Sequence, residues 1–129
     1  SLNADHPETA YQLGRLFAVL EKTQHEAFGA EPNASLRGRF LGAASGTPAI
    51  VFPRLLRLHA HHLRKLENPG RRVNLEGLVA SICGRVDSTE GFPSHLPLEG
   101  QGLFFLGYYQ QRQDLYTSKK DADPTPAAA

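Results

Sequence analysis

The sequence predicts an all-α fold, a compact bundle of four to five helices, and three observations carry that prediction. Apolar residues recur at helical spacing in several segments, and strand-like alternation never lasts more than a few positions. Turns rich in Gly, Pro, Asn and Asp separate these segments. At 129 residues, the chain has the length of one ordinary domain and can bury a core without disulfides. We therefore expect a helical bundle domain over residues 1–118 and a disordered tail over residues 119–129.

Five segments of the chain begin and end with helix signals. The first has the form of a capping box, in which Asp5 stands three residues before Glu8. The second can be capped by Asn33 or Ser35, and the fourth by Asn74. Helices are expected over about residues 5–28, 33–44, 47–68, 74–86 and 98–116.

Polar and small residues in the first and last segments carry further expectations. Arg15 and Lys22 fall outside the apolar row of the first helix, so we expect them on the surface, where they can slightly extend the basic surface described below; for Lys22, simple solubility is the plainer interpretation. The glycines of the last helix predict close packing against neighbouring helices, since each weakens a helix by about 1 kcal/mol relative to Ala. These glycines are Gly100, Gly102 and Gly107. The expected row of this helix is Leu98, Gly102, Phe105, Tyr109, Arg112 and Tyr116, and the apolar surface is widened by Leu103, Phe104, Leu106 and Tyr108.

The third segment is the one around which the rest of the prediction is organised. Thr47 can cap its helix, and Pro48 suits the first helical position because no N–H is needed there. Asn68 ends the segment because it precedes a proline. One face is apolar, and the opposite face is basic. The apolar face holds Val51, Leu55, Leu58, His62 and Leu66, and the basic face holds Arg54, Arg57, His61, Arg64 and Lys65.

The positive charge of the chain is concentrated in its middle. The net charge is only +1, yet residues 36–85 hold nine Arg and Lys against two Glu, while acids outnumber bases on both sides. Such a local patch attracts polyanions, and a solvated helix surface is the plainer alternative. We expect sequence-tolerant, salt-sensitive contacts with phosphates and little base stacking, because aromatic residues are not evident on this face. The predicted nucleic-acid-binding residues are Arg37, Arg39, Arg54, Arg57, Arg64, Lys65 and, on an exposed loop over 68–72, Arg71 and Arg72.

Other chemistry finds little support in the sequence. His59 and His62 share a helix face, but a closed zinc site needs about four ligands and the one cysteine, Cys83, lies in an apolar row. Residues 42–46 are rich in glycine but do not form a phosphate-binding loop motif, and common hydrolase motifs are absent. We therefore expect no catalytic activity, no cofactor and no metal.

The composition also indicates where the protein works. A single cysteine excludes an internal disulfide, and no apolar run approaches the roughly 18 residues of a membrane span. We expect a soluble cytoplasmic protein that does not bind a membrane.

Three blocks of the chain resemble, in order, the C-terminal region of the large subunit of type I-C CRISPR Cascade. The blocks are residues 2–22, 42–66 and 98–113, and the likeness extends over about residues 2–120. In that family the region is also made as a separate small subunit, by translation that starts inside the large-subunit gene. The resemblance implies a non-catalytic helical protein that stacks along an RNA-guided complex, lines the guide–target heteroduplex and helps to hold the displaced DNA strand.

The resemblance also implies the partners. These are CRISPR RNA and target DNA, contacted through their backbones, and other Cascade subunits, including the large subunit and copies of the protein itself. Two other hypotheses stay open. The basic face can pair with partner proteins in a purely structural role, or the histidine cluster can serve an enzyme or metal protein.

Overall fold

The computed structural model describes residues 1–29, 35–86 and 91–122, with side chains described as far as residue 117. Within these ranges all regular structure is helical, and the prediction of a compact all-α bundle is confirmed. No helix in this part of the chain is both long and apolar enough to cross a membrane. The helices are α1 (Thr9–Phe28), α2 (Leu36–Gly46), α3 (Pro48–Arg64), α4 (Pro69–Val86) and α5 (Leu98–Ala122).

The helices run alternately up and down along the bundle. At one end, the Ala49 N–H of α3 donates to the Pro93 carbonyl, 2.9 Å away in the segment before α5. At the other end, the ring of Phe28 in the last turn of α1 packs against the His62 ring of α3. α4 starts beside the end of α1 and runs back along it. Sequence neighbours are therefore antiparallel, and α1, α3 and α5 point the same way.

The central helix is α1, not the predicted organiser α3. α1 packs against all four other helices, and every residue from 10 to 20 is buried. The most extensive of these contacts joins α1 to α5. The expectation of a single apolar stripe on α1, with polar residues outside, is therefore wrong.

Two glycines let the backbones of α1 and α5 touch. A Cβ atom at Gly14 would lie 1.9 Å from the Phe104 carbonyl oxygen, and one at Gly107 would lie 2.1 Å from the Tyr11 carbonyl oxygen. The predicted close packing is confirmed at Gly107. It is wrong for Gly102, which has nothing within 4 Å of such an atom.

The buried part of α5 includes Phe104 and Tyr108 from the predicted apolar surface, but it does not follow the expected central row. Leu98 is 83% exposed and Tyr109 is 47% exposed, so the expected apolar row lies largely in solvent. The helix is rich in aromatic residues all around, and the two backbone contacts through glycine select which of its faces points inward. The buried residues are Gly100, Phe104, Gly107, Tyr108 and Gln111.

Of the five predicted helix starts, those of α1 and α4 are wrong, whereas α2, α3 and α5 begin where the sequence predicts. Ser35 caps α2, with its Oγ accepting the Gly38 N–H at 3.0 Å, whereas Asn33 lies outside the described residues. The capping box before α1 is wrong, because Glu8 makes no side-chain cap and Asp5 pairs with Arg85 of α4.

Three further boundaries shift. α4 begins at Pro69 instead of Asn74, because Asn68 accepts the Arg71 N–H at 3.1 Å and caps the helix earlier. α3 ends at Arg64 instead of Asn68. α5 continues to Ala122, six residues past its predicted end at Tyr116, and residues 123–129 of the predicted tail lie outside the described residues.

Candidate nucleic-acid interface

An exposed basic stripe runs along α3. Arg54, Arg57 and Arg64 are exposed, and Lys65 is exposed at the end of the helix. The residues recur at helical spacing, so they share a face about 15 Å long, opposite the buried apolar face. None of the four forms an ion pair among the described residues. Their charge is available to an external anion.

α2 brings two more arginines to the same region. The guanidinium carbon of Arg39 lies 4.8 Å from the centre of the Phe40 ring, and that of Arg54 from α3 lies 5.1 Å from the same centre. Cations of both helices therefore meet over one ring. Arg37 points towards α5, where its Nη2 donates to the Tyr109 hydroxyl at 2.9 Å. We call the six exposed cations the basic face: Arg37, Arg39, Arg54, Arg57, Arg64 and Lys65.

The remaining two predicted residues are engaged within the molecule. Arg71 donates from Nε and Nη2 to the Glu26 carboxylate at 2.8–3.0 Å, and this hydrogen bond raises the pKa of Arg71. Arg72 donates to the Leu66 carbonyl at 2.8 Å, just after α3. Their expected place on an exposed loop is wrong, since both lie partly buried in the first turn of α4.

The histidine cluster lies mostly in the interior. His59 and His62 are 5% and 4% exposed. Burial, with a smaller contribution from His62, lowers the pKa of His59 to about 4. Burial also lowers the pKa of His62, with His61 adding to the effect. Both rings are therefore neutral near pH 7 and add nothing to the basic face. In the described part of the chain, no three His, Cys, Asp or Glu residues are grouped to hold a metal ion.

The cations of α1 are buried, contrary to expectation. Arg15 is 4% exposed, and its guanidinium donates to Gln111 and Gln12 side-chain oxygens, each at 2.7 Å, and to the Ala4 carbonyl at 3.1 Å. Burial lowers the pKa of Arg15. Lys22 is 3% exposed and lies 3.8 Å from the centre of the Tyr116 ring. Neither residue extends the basic face.

A pocket beside the basic face is not predicted by the sequence. It has a volume of about 700 Å³ and lies between α1, α5 and the start of α2. Its residues are far apart in the sequence, so no local motif could reveal it. The pocket also places aromatic rings next to Arg37, where the sequence had suggested none. Its walls include Glu21, Tyr109, Arg112, Gln113 and Tyr116.

Comparison with known proteins agrees with the predicted resemblance. The family model described as CRISPR-associated protein (Cas_Csd1) matches residues 1–116. A search of curated proteins found no match. The match covers all but the last part of α5 and the residues beyond it, so the protein belongs to the Cas_Csd1 family and is a CRISPR-associated Cascade subunit.

Proposed function

We propose that the protein is a non-catalytic small subunit of a type I-C Cascade complex. Its basic face holds nucleic-acid backbone and so stabilises the guide RNA–target DNA heteroduplex and the displaced DNA strand. Its partners are CRISPR RNA, target DNA and other Cascade subunits, including the large subunit and further copies of itself, and it works in the cytoplasm. Membership of the Cas_Csd1 family supports the assignment to a Cascade complex, and the basic face supports binding through the nucleic-acid backbone.

One observation carries the proposal: six cations of α2, of α3 and of the residue after α3 are exposed and form no ion pair among the described residues, and those of Arg39 and Arg54 approach the same ring. Exposed Lys and Arg that neutralise phosphates release counterions, which makes binding favourable without reading any base. Exchange of a DNA duplex for an RNA–DNA heteroduplex is nearly balanced in energy, so backbone contacts can tip it. A modest number of phosphate contacts is therefore enough for the proposed role.

The test is neutralisation of the stripe on α3. A variant with Arg54→Gln, Arg57→Gln and Arg64→Gln should bind duplex DNA and RNA–DNA heteroduplex at least tenfold more weakly at low salt. The slope of log affinity against log salt should fall by about one for each phosphate that the variant no longer neutralises. Fluorescence anisotropy across about 50 to 200 mM salt measures both quantities.

A matched control distinguishes the loss of the basic face from a mere change in the net charge of the protein. Gly77→Glu, Ala80→Glu and Ser81→Glu lower the net charge by the same three units at exposed positions of α4. This control should keep most of the affinity and most of the salt slope. Equal losses in the two variants, or no loss in the arginine variant, would refute the assignment of the basic face.

The structural alternative makes a different prediction for the same arginine variant. If the basic face pairs with acidic surfaces of partner subunits, the variant should fail to join the Cascade complex. Its affinity for free nucleic acid should then stay close to that of the wild type. Size-exclusion chromatography of the reconstituted complex, alongside the binding assay, distinguishes the two roles.

A further inference from the structure

The pocket between α1, α2 and α5 has the size of a small-ligand site. Its volume of about 700 Å³ falls in the usual range of about 300–1,000 Å³ for such sites. Tyr109, 47% exposed, presents its ring at the wall of the pocket. The guanidinium carbon of Arg112 lies 5.3 Å from the centre of the Tyr116 ring on the same wall. The pocket therefore offers flat surfaces on which a planar ring can stack.

Hydrogen-bonding groups line the same space. Glu21 accepts the Tyr108 hydroxyl at 2.7 Å, and its carboxylate stands 3.7 Å from Arg112 Nε. That distance is too long for a hydrogen bond, and the buried Nε has no hydrogen-bond partner among the described residues. Gln113 adds an amide to the lining. Because the buried Nε is not accessible from the pocket, the hydrogen-bonding groups available there are the Glu21 carboxylate and the Gln113 amide, beside the stacking surfaces.

This chemistry suits a nucleobase. The Glu21 carboxylate, paired with Arg112, can accept the exocyclic amine of a base, as carboxylates do with cytosine. Bases splayed out of a strand stack on aromatic rings and on guanidinium planes. The phosphate of the same nucleotide finds a cation at the rim, because Arg37 is exposed and hydrogen-bonded to Tyr109.

We propose that this pocket receives the base of an unpaired nucleotide while Arg37 holds the adjoining phosphate. The inference rests on the proposed function and narrows the kind of nucleic acid bound at this place. A base in a duplex is paired and stacked, so it has to leave the double helix before it can enter the pocket. The strand held here is therefore single-stranded. The rest of the basic face holds backbone without regard to pairing.

Three probes of equal length test the pocket in the purified full chain. They are a single strand of mixed deoxycytidine and deoxythymidine, the corresponding abasic strand with the same phosphates, and a duplex of the first sequence. The wild type should bind the single strand about tenfold more tightly than the abasic strand at one salt concentration, which is within the range for stacking of one base. Fluorescence anisotropy gives the three affinities.

Substitution of Tyr109 then tests whether the preference for the intact strand arises in this pocket. Tyr109→Ala should abolish the preference for the intact over the abasic strand and change duplex binding by less than about twofold, since aromatic stacking acts on unpaired bases. The control Tyr109→Phe keeps the ring but loses the hydroxyl that Arg37 contacts, so it should retain most of the preference. Circular dichroism checks that both variants keep the helical fold.

Any other outcome refutes either the base pocket alone or the base pocket together with the proposed function. Equal affinity of the wild type for the intact and abasic strands refutes the base pocket and leaves the proposed function standing. Equal losses of intact-strand and abasic-strand binding in Tyr109→Ala also refute the pocket. Absence of salt-dependent binding to all three probes refutes the proposed function and the pocket together.

Discussion

α1 and α3 both carry polar and charged residues, but α1 buries many of them whereas α3 exposes most of them. α1 is buried over its entire circumference between residues 10 and 20, whereas α3 buries one face and exposes the other. Arg15 on α1 is enclosed by three oxygen acceptors, whereas Arg57 on α3 is exposed and makes no ion pair among the described residues. An arginine is thus part of the buried core in α1, whereas an arginine of α3 remains available to bind a partner.

The difference arises from the neighbours and not from the residues themselves. A buried guanidinium is tolerated only where acceptors surround it. Gln12 supplies one acceptor to Arg15 from the preceding turn, while Gln111 and Ala4 come from other parts of the chain. Helical periodicity describes α3 well because only one of its faces meets other helices. It fails for α1, which meets them on all sides.

The largest expected effect comes from breaking the packing of α1 against α5. Gly14→Ala would place a methyl group 1.9 Å from the Phe104 carbonyl oxygen. Both groups belong to rigid helical backbones, so the helices have to separate. We expect a loss of more than about 4 kcal/mol in the free energy of unfolding, beyond ordinary overpacking. Urea unfolding followed by circular dichroism measures it.

Gly102→Ala is the matched control on α5. Nothing lies within 4 Å of the added atom, so the substitution should leave the fold intact and stabilise it by up to about 1 kcal/mol. A Gly14→Ala protein as stable as the wild type would show that α1 and α5 do not approach so closely.

The buried face of α3 should respond to acid through His59. Its pKa in the folded protein is about 4, against an ordinary 6.5, so the unfolded chain binds more protons between these values. Stability is therefore complete above about pH 6.5 and falls as the pH drops towards 4. The loss reaches up to about 3 kcal/mol, at about 1.4 kcal/mol for each pH unit.

His59→Leu should remove this part of the acid sensitivity. Neither ring nitrogen of His59 has a hydrogen-bond partner in the described part of the chain, so the variant should be at least as stable as the wild type near pH 7. Unfolding in urea between about pH 7 and pH 4.5 gives the two profiles. A similar substitution of exposed His95 by Gln should leave the profile unchanged. Parallel profiles for wild type and His59→Leu would contradict the role of His59.

The smallest expected effects come from the same substitution, Arg to Ala, made once in α1 and once in α3. Arg15→Ala should lower the free energy of unfolding by about 2 kcal/mol, because it leaves buried acceptors unpaired. Arg57→Ala should change it by less than about 0.5 kcal/mol, as is usual for surface positions. DNA affinity should respond in the reverse order when both variants are measured under conditions where they are folded. Equal effects of the two substitutions on the free energy of unfolding would contradict the view that Arg15 is buried and hydrogen-bonded while Arg57 is exposed.

The sequence is sufficient to predict the class of fold and the exposed cations of α2 and α3. Apolar periodicity and turn residues locate the helices, and the spacing of Arg54, Arg57 and Arg64 places them on one face whatever the tertiary structure. The start of α4 cannot be read from the sequence, because Pro69 can end one helix or begin the next. Its actual role depends on the hydrogen bond that Asn68 makes.

The features that could not be predicted all depend on long-range pairs. Arg71 is held by Glu26, which lies 45 residues away in the sequence. The buried face of α5 is selected by contacts of Gly14 and Gly107 with backbone of the opposite helix. The pocket joins Glu21 of α1 to Tyr109 of α5. Local spacing contains no information on such pairs, so neither the burial of α1 nor the pocket could follow from it.

The contact between the first and last helices also constrains how the chain folds during synthesis. Glu21 and Tyr108 are hydrogen-bonded across this interface but lie 87 residues apart in the sequence. At a translation rate of about 5–20 residues per second, α1 leaves the ribosome several seconds before its principal partner exists. During that interval the face of α1 that packs against α5 has no permanent cover, and the nascent chain is open to aggregation. Folding should therefore be slower than in helical proteins whose contacts are mostly local.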